Sequence, residues 1–401
     1  MPTERRARVA RQSRRPSAEG LIAAAQSIEQ VSGLTHNFYR YPARFSPLLA
    51  RAAIRHFTRP GDIVLDPFMG GGTTLVEALA SGRNAVGTDI SSLAAFVSQT
   101  KTTIFSEREL LVISEWLAMV TGTIHIHKRL PGHRAARSYP KHLDLSQTWR
   151  IRKGIEQAIQ FASTLRPTRV ENLARCIVLR TAQWALDGRN QFPSIAEFKE
   201  ALRELGLDMI DGARELAQTV EATGKITRVS CIHRSAIGLE RAKLVTRHGP
   251  PKLVLMSPPY PGVHVLYHRW QVLGGKETAA PFWVANRTDG SGGAYYTMGH
   301  HNAQTLSTYF SQLEKSLRSV VAVSDKKTTF IQVVAFSDPD WQLPRYLSVA
   351  DDAGLEEVLL PELKGTRDGR LWRSVPHRKW YTDLNGRTSG SEEVVLIHRI
   401  R

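Results

Sequence analysis

Asp66-Pro67-Phe68-Met69-Gly70-Gly71-Gly72-Thr73-Thr74 is the stretch whose reading decides the fold. The run before it, 62–65, is short and mostly apolar or β-branched, and the run after it, 75–80, is spaced as a helix. Together they read as strand, glycine-rich turn and helix. A second strand, 84–88, ends in Asp89, seventeen residues beyond Gly72. The pair forms the opening βαβ unit of an open α/β sheet.

Glycines after a first strand let the backbone approach a ligand closely, and the helix that follows offers unpaired N–H groups with a partial positive charge. No lysine follows these glycines, as it would in a phosphate-binding P-loop, and the third glycine of the dinucleotide fingerprint is missing. ATP and NAD therefore fit poorly. Asp89, at the end of the second strand, stands where an acid accepts hydrogen bonds from ribose hydroxyls. A ribose-bearing ligand with no required phosphate fits best, and S-adenosylmethionine is one.

A second unusual junction lies far along the chain, where Ser257-Pro258-Pro259-Tyr260 closes the apolar run 253–256. Two successive prolines stiffen the backbone and remove two N–H donors, leaving carbonyl oxygens to accept from a ligand that carries an amino group. The plainer alternative is a Pro-Pro turn that simply ends a strand.

Composition narrows the setting. The chain has 401 residues, 42% of them hydrophobic, and its 54 Lys and Arg against 37 Asp and Glu give a net charge of +17. That balance favours a polyanionic partner, nucleic acid first. No apolar run approaches the roughly 18 residues of a membrane span, so a membrane partner is not expected. The only cysteines, Cys176 and Cys231, are far apart, which suits a reducing cytoplasm and structural thiols. Metal is not expected either. His125, His127, His133 and His142 lack paired Cys or carboxylates at ligand spacing.

The organisation follows from texture. Residues 1–30, with Arg5, Arg6, Arg8, Arg11, Arg14 and Arg15, read as a basic disordered arm. Residues 31–104 hold the glycine turn, preceded by Tyr41-Pro42-Ala43-Arg44-Phe45 and a helical run at 48–56. From 105 to 224 the periodicity is helical, at 107–120, 149–165, 171–186 and 194–220, and this reads as an inserted helical region. Strands return between 225 and 401, at 226–232, 253–256, 328–334 and 393–398.

The 66–74 turn and the Ser257–Tyr260 motif together resemble the DNA amino-methyltransferases, which methylate cytosine N4 or adenine N6 with S-adenosyl-L-methionine. The resemblance covers about 36–100 and 225–400 and implies a Rossmann-like methyltransferase sheet with helices on both faces and a helical insertion. It implies that Asp66, Pro67, Phe68, Gly70, Gly72 and Thr73 line the cofactor's methionine end, that Asp89 holds the ribose, and that Tyr41, Pro42 and Phe45 close over the methionine. The third strand departs from the family pattern, reading Cys231-Ile232-His233-Arg234-Ser235 where an acidic or amide residue usually meets the adenine.

For Ser257, Pro258, Pro259 and Tyr260 the resemblance implies the catalytic role. An exocyclic base amine is a poor nucleophile because its lone pair is delocalised into the ring. Ser257 Oγ and the Pro258 carbonyl are expected to accept its hydrogens, with Tyr260 stacking on a base flipped out of duplex DNA. A serine in first position leans toward cytosine N4. Carbon-5 methylation is disfavoured, since neither cysteine follows a proline.

The partner expected is double-stranded DNA, with the insertion as target-recognition region, a cognate restriction nuclease as candidate companion, and a cytoplasmic, nucleoid-associated location. The oligomeric state is left open. A basic run from His125 to Lys153 reads as a DNA-backbone track or a solvated loop, and 373–381 as a phosphate contact. Tyr267, Trp270, Trp283, Tyr295 and Tyr296 read either as cradles for a flipped base or as cover for the sheet. An adenine-N6 enzyme, an RNA base methyltransferase and a non-catalytic nucleic-acid-binding protein on a methyltransferase fold are the alternatives.

Overall fold

A computed structural model of the chain describes residues 18–27, 29, 32–41, 46–127, 138–261, 269–288, 298, 303–364, 366–374 and 392–401. Helices α1 (Glu19–Gln26) and α2 (Pro47–Phe57) lead into β1 (Ile63–Asp66), α3 (Thr73–Ala80), β2 (Asn84–Asp89) and α4 (Ser92–Lys101). Four helices follow: α5 (Glu107–Thr123), α6 (Trp149–Ala162), α7 (Thr168–Leu186) and α8 (Ile195–Ala222). The chain then returns through β3 (Val229–His233), α9 (Lys243–Thr246) and β4 (Leu253–Met256). A small ribbon, β5 (Trp270–Val272) and β6 (Lys276–Thr278), precedes α10 (Ala280–Val284), α11 (Ala303–Ala322), β7 (Thr329–Ala335) and α12 (Pro339–Asp352). The last strands are β8 (Leu355–Glu357), β9 (Leu371–Ser374) and β10 (Glu392–Ile400).

The main sheet runs β3-β2-β1-β4-β7-β10-β8, with β9 paired to β10. Strands β3 to β7 along that order are parallel, while β10 lies antiparallel to β7. The residues explain this. Every residue of β4 and β7 is buried, as expected for parallel strands covered by helices on both faces. One face packs Val254, Met256, Phe330 and Val334 against α11 and α12, and the other packs Val64, Leu253, Leu255 and Ile331 against α2 and α3. This is a Rossmann-like methyltransferase sheet with a helical insertion, as the sequence leads one to expect.

The insertion has a core of its own. Ser106 with Glu109 and Ser194 with Glu197 form capping boxes that start α5 and α8, each satisfying backbone amides that would otherwise be unpaired. Ile113, Leu117, Ile155, Leu173, Ile177 and Phe198 fill the interior. The same core takes in Phe38, Tyr39, Trp270, Phe282 and Trp283, so residues after β4 fold back onto the bundle. Trp270 donates from Nε1 to the Tyr39 hydroxyl at 3.1 Å. Arg175 of α7 holds Glu171 Oε1 at 2.8 Å and the Val284 carbonyl at 3.2 Å.

Two readings of the sequence change here. The stretch 1–30 is not wholly a disordered arm, because α1 buries Leu21 and Ala25 against the rest of the protein. Trp270 and Trp283 neither cradle a base nor cover the sheet; they are core residues of the helical region. Tyr267, Tyr295 and Tyr296 lie outside the described residues.

A buried charged cluster fastens α2 and α3 to the segment before them. Glu77 of α3 is inaccessible to solvent and takes Arg51 Nε at 2.7 Å and His36 Nε2 at 2.8 Å. Its carboxyl is held below the usual range: burial opposes this, but hydrogen bonds from His36 and Arg51 outweigh it. Removing the carboxylate would leave a guanidinium without its partner beside a closed core. Glu77→Ala should therefore lower unfolding free energy by about 3–5 kcal/mol, read from denaturant melts.

Candidate active site

The parallel strands β1, β2 and β4 all end at one edge of the sheet, and the two motifs singled out in the sequence leave it from adjacent strands. The register sets Val64 beside Leu253 and Leu65 beside Val254. The glycine turn therefore begins after Asp66 on one strand, while Ser257 begins its motif one strand away. Neighbouring strands are about 4.8 Å apart, so the two loops rise side by side.

The turn is built by hydrogen bonds to Asp89. Its Oδ2 accepts from the Gly70 amide at 3.0 Å and its Oδ1 from the Ser91 amide at 2.8 Å. Asp66 Oδ1 accepts from the Phe68 amide at 3.1 Å. The Pro67 carbonyl accepts from the Thr88 hydroxyl at 3.0 Å. Gly70 and Gly72 have φ of 44° and 73°, a conformation that favours glycine. A side chain on Gly72 would also meet Ser98, whose hydroxyl donates to the Gly70 carbonyl at 2.9 Å. Lys101 Nζ donates to the Gly71 carbonyl at 2.6 Å, so α4 holds the turn from behind. Thr73 is buried as the first residue of α3.

Tyr41 is buried with its ring against Gly71, where a Cβ would come within 2.7 Å of Cδ2. Pro42 and Phe45 lie outside the described residues.

Both acids have suppressed ionisation. Burial raises Asp66 to about 7, opposed by hydrogen bonds from Thr74 and the Phe68 amide, with the charge of Asp89 adding to the rise. Burial raises Asp89 to about 6, opposed by the Ser91 and Gly70 amides. Two buried carboxyls beside a glycine turn suit a ligand that brings positive charge. S-adenosylmethionine, with its sulfonium and ammonium groups, brings such charge.

The third strand runs beside β2 as expected, but its side chains are engaged locally. His233 Nε2 is 2.9 Å from the Ile90 carbonyl, and the Arg234 amide donates to the Asp89 carbonyl at 2.8 Å. Cys231 Sγ is 3.6 Å from the Thr102 hydroxyl. Burial pushes both thiols up to about 12, which makes either a poor nucleophile.

At the second motif, Ser257 Oγ lies 3.1 Å from the Tyr260 hydroxyl, which donates to Glu393 Oε1 at 2.6 Å. The Pro259 carbonyl accepts from the Tyr309 hydroxyl at 2.8 Å. Glu393 and Tyr309 were not singled out in the sequence. No local motif marks them, since their relevance arises from the pairing of β10 with β7 and the packing of α11.

The surface readings fare unevenly. Within the basic run, Arg152 pairs with Asp144 at 2.7 Å, Lys153 donates to the Ile126 carbonyl at 3.0 Å, and Arg150 and Lys153 lie over Trp149. These cations are engaged locally, and 128–137 lies outside the described residues. Arg373 is buried and faces Glu393 at 3.7 Å, so it is not a phosphate contact; 375–391 lies outside the described residues. No described helix is long and apolar enough to cross a membrane.

Comparison with known proteins bears on a segment near the start of the chain. Type II methyltransferase M.MjaII of Methanocaldococcus jannaschii is 38% identical over 66 residues, 16% of this chain and 12% of that protein. DNA adenine methyltransferase YhdJ of Escherichia coli is 40% identical over 63 residues, 16% of this chain and 21% of that protein. An rRNA methyltransferase from Streptomyces viridochromogenes aligns over 96% of this chain and 93% of its own at 11% identity, but its TM-score of 0.31 carries no argument. The matched stretches span less than a quarter of either curated relative. Residues 15–98 match the N6/N4 methyltransferase family profile, described as DNA methylase. That segment, which contains α1, the glycine turn and Asp89, is similar to the DNA amino-methyltransferases.

Proposed function

We propose that this protein transfers a methyl group from S-adenosylmethionine directly to an exocyclic amine of a base in duplex DNA, with cytosine N4 as the acceptor. The observation that carries this reading is the departure of the glycine turn and the Ser257–Tyr260 motif from neighbouring strands β1 and β4. The donor would lie over the turn, with its ribose at Asp89 and its methionine end near Asp66, Pro67, Phe68, Gly70, Gly72 and Thr73. Tyr41, Pro42 and Phe45 would close over it. The acceptor amine would enter from the side of Ser257.

The cofactor supplies an electrophilic methyl on a sulfonium. The chain's own residues have three tasks: they hold the two reactants in line, accept the amine hydrogens and screen the site from water. Ser257 Oγ and the Pro258 carbonyl accept those hydrogens, which favours a pyramidal nitrogen with its lone pair free. Tyr309 engages the Pro259 carbonyl, which anchors the second proline. The Tyr260 ring supplies a stacking surface for the extruded base, worth about 1–3 kcal/mol against a flipping cost of a few kcal/mol. Serine carries no negative charge at neutral pH, which suits positioning rather than general-base catalysis.

The net charge of +17 supports a polyanionic substrate. The helical insertion, which packs on residues both before and after the motifs, is the candidate target-recognition region. In this reading a cognate restriction nuclease would be the companion activity, and duplex DNA would hold the protein at the nucleoid.

Nucleoside mass spectrometry of duplex DNA incubated with methyl-labelled S-adenosylmethionine should yield labelled N4-methylcytosine. Labelled N6-methyladenine would reverse the choice of base, and label confined to a parallel RNA substrate would reject DNA as substrate.

A pH test addresses the cofactor site. Asp66 and Asp89 titrate above their unfolded values, so in the free protein they favour the folded state most below the unfolded carboxylate range near about 4. That contribution is lost as pH rises through about 6 for Asp89 and about 7 for Asp66. A cationic donor binds best when both are ionised, so its affinity should move in the opposite sense and strengthen between about pH 5.5 and about pH 7.5. Calorimetry checks this, and Asp89→Ala should weaken binding and flatten the dependence. A flat wild-type profile would place the donor away from these acids.

A further inference from the structure

Tyr260 has one hydroxyl hydrogen, and the geometry assigns it to Glu393. The 2.6 Å separation between Tyr260 Oη and Glu393 Oε1 is that of a charge-assisted bond, with the ionised carboxylate able only to accept. The contact of Ser257 Oγ with the same phenol oxygen, at 3.1 Å, must then be made with the serine hydrogen. Serine also has one hydrogen. Once it is given to Tyr260, Ser257 Oγ meets the entering base amine with lone pairs only.

We infer that Glu393, acting through Tyr260, is the positioning residue that holds Ser257 as an acceptor toward the target amine. This rests on the methyltransferase reading above and adds a residue from the far end of the chain. A free serine hydroxyl can rotate and donate to the amine nitrogen, which would tie up the lone pair that must attack. The Glu393 carboxylate sets the direction of the chain and prevents this. As the S–CH3 bond breaks to leave a neutral thioether and the N–CH3 bond forms, the nitrogen becomes cationic and its N–H bonds become stronger donors; after transfer the extra proton passes to water. A serine fixed as acceptor stabilises that charge more than it stabilises the neutral amine, which is the condition for lowering the barrier.

The fold explains how the carboxylate stays in place. Glu393 is the second residue of β10, which runs antiparallel to β7, so the start of β10 lies at the edge where the parallel strands end. It pairs with Ala335 of β7 on one side and with Arg373 of β9 on the other. Arg373 Nε lies 3.7 Å from Glu393 Oε2, and both side chains are nearly closed to solvent, at 5% and 9% exposure. The arginine balances the buried charge while leaving Oε1 to the tyrosine.

The test compares wild-type protein with Tyr260→Phe, Glu393→Gln and the double variant in single-turnover methyl transfer to duplex DNA. Cofactor affinity and thermal unfolding are measured alongside. Tyr260→Phe keeps the ring and the Glu393–Arg373 pair, so it remains informative if Glu393→Gln folds poorly. Each single variant should slow transfer by about 10- to 100-fold, the worth of one charge-assisted hydrogen bond in the transition state, with cofactor affinity of Tyr260→Phe unchanged and its melting temperature lowered only by the loss of one buried hydrogen bond. The double variant should be no slower than the slower single one, because both changes break the same chain. Transfer by Tyr260→Phe within about twofold of wild type, or losses that multiply, would overturn the assignment of Glu393. A wild-type protein that binds the cofactor yet methylates no DNA would instead overturn the methyltransferase reading, and this inference with it.

Discussion

The Asp89 carboxylate joins the turn after β1 to the end of β2 by taking the Gly70 amide on one oxygen and the Ser91 amide on the other. Much of the site depends on that pair of bonds. They hold Gly70 in its left-handed conformation and favour the ionised form of Asp89, but burial outweighs them and leaves its ionisation suppressed. Asp66, one strand over, is in the same condition. An arrangement that buries two acids at one edge is costly in the free protein and favourable with a cation present, so the site's electrostatics anticipate a positively charged ligand.

The helical insertion is structurally coupled to this edge. Its core includes Tyr39 and Tyr41 from the segment before the glycine turn, and Trp270 and Phe282 from the segment after Ser257. The Tyr41 ring lies against Gly71, so one face of that core reaches the turn itself.

Much of this could be read from residue order. Asp66 to Thr74 revealed the first strand, turn and helix because glycine demand and apolar spacing are local signals, and β4 from Leu253 to Met256 was legible as a closed apolar run. The four helices of the insertion were legible from periodicity, starting within one residue of the reading where Ser106 and Ser194 cap α5 and α8, and displaced by two or three residues at ends without such a cap, such as the start of α7 and the end of α6. Local signals also misled. Trp270 and Trp283 read as cradles for a flipped base or as cover for the sheet but are core of the helical region, because their partners lie on a bundle formed much earlier in the chain. Leu21 and Ala25 lie beside an arginine-rich run whose charge obscured a short buried helix. Glu393 gave no signal of its role, since an acid at the start of an apolar strand is ordinary and only the pairing of β10 with β7 and β9 brings it to Tyr260.

The central claim is that the Asp66–Gly72 turn and Ser257 face one reaction space. A crystal structure of the protein with S-adenosylhomocysteine tests it most directly. The ribose hydroxyls should lie on Asp89 and the thioether sulfur should be directed toward Ser257. A ribose held elsewhere, or a sulfur turned away from the Ser257–Tyr260 loop, would contradict it.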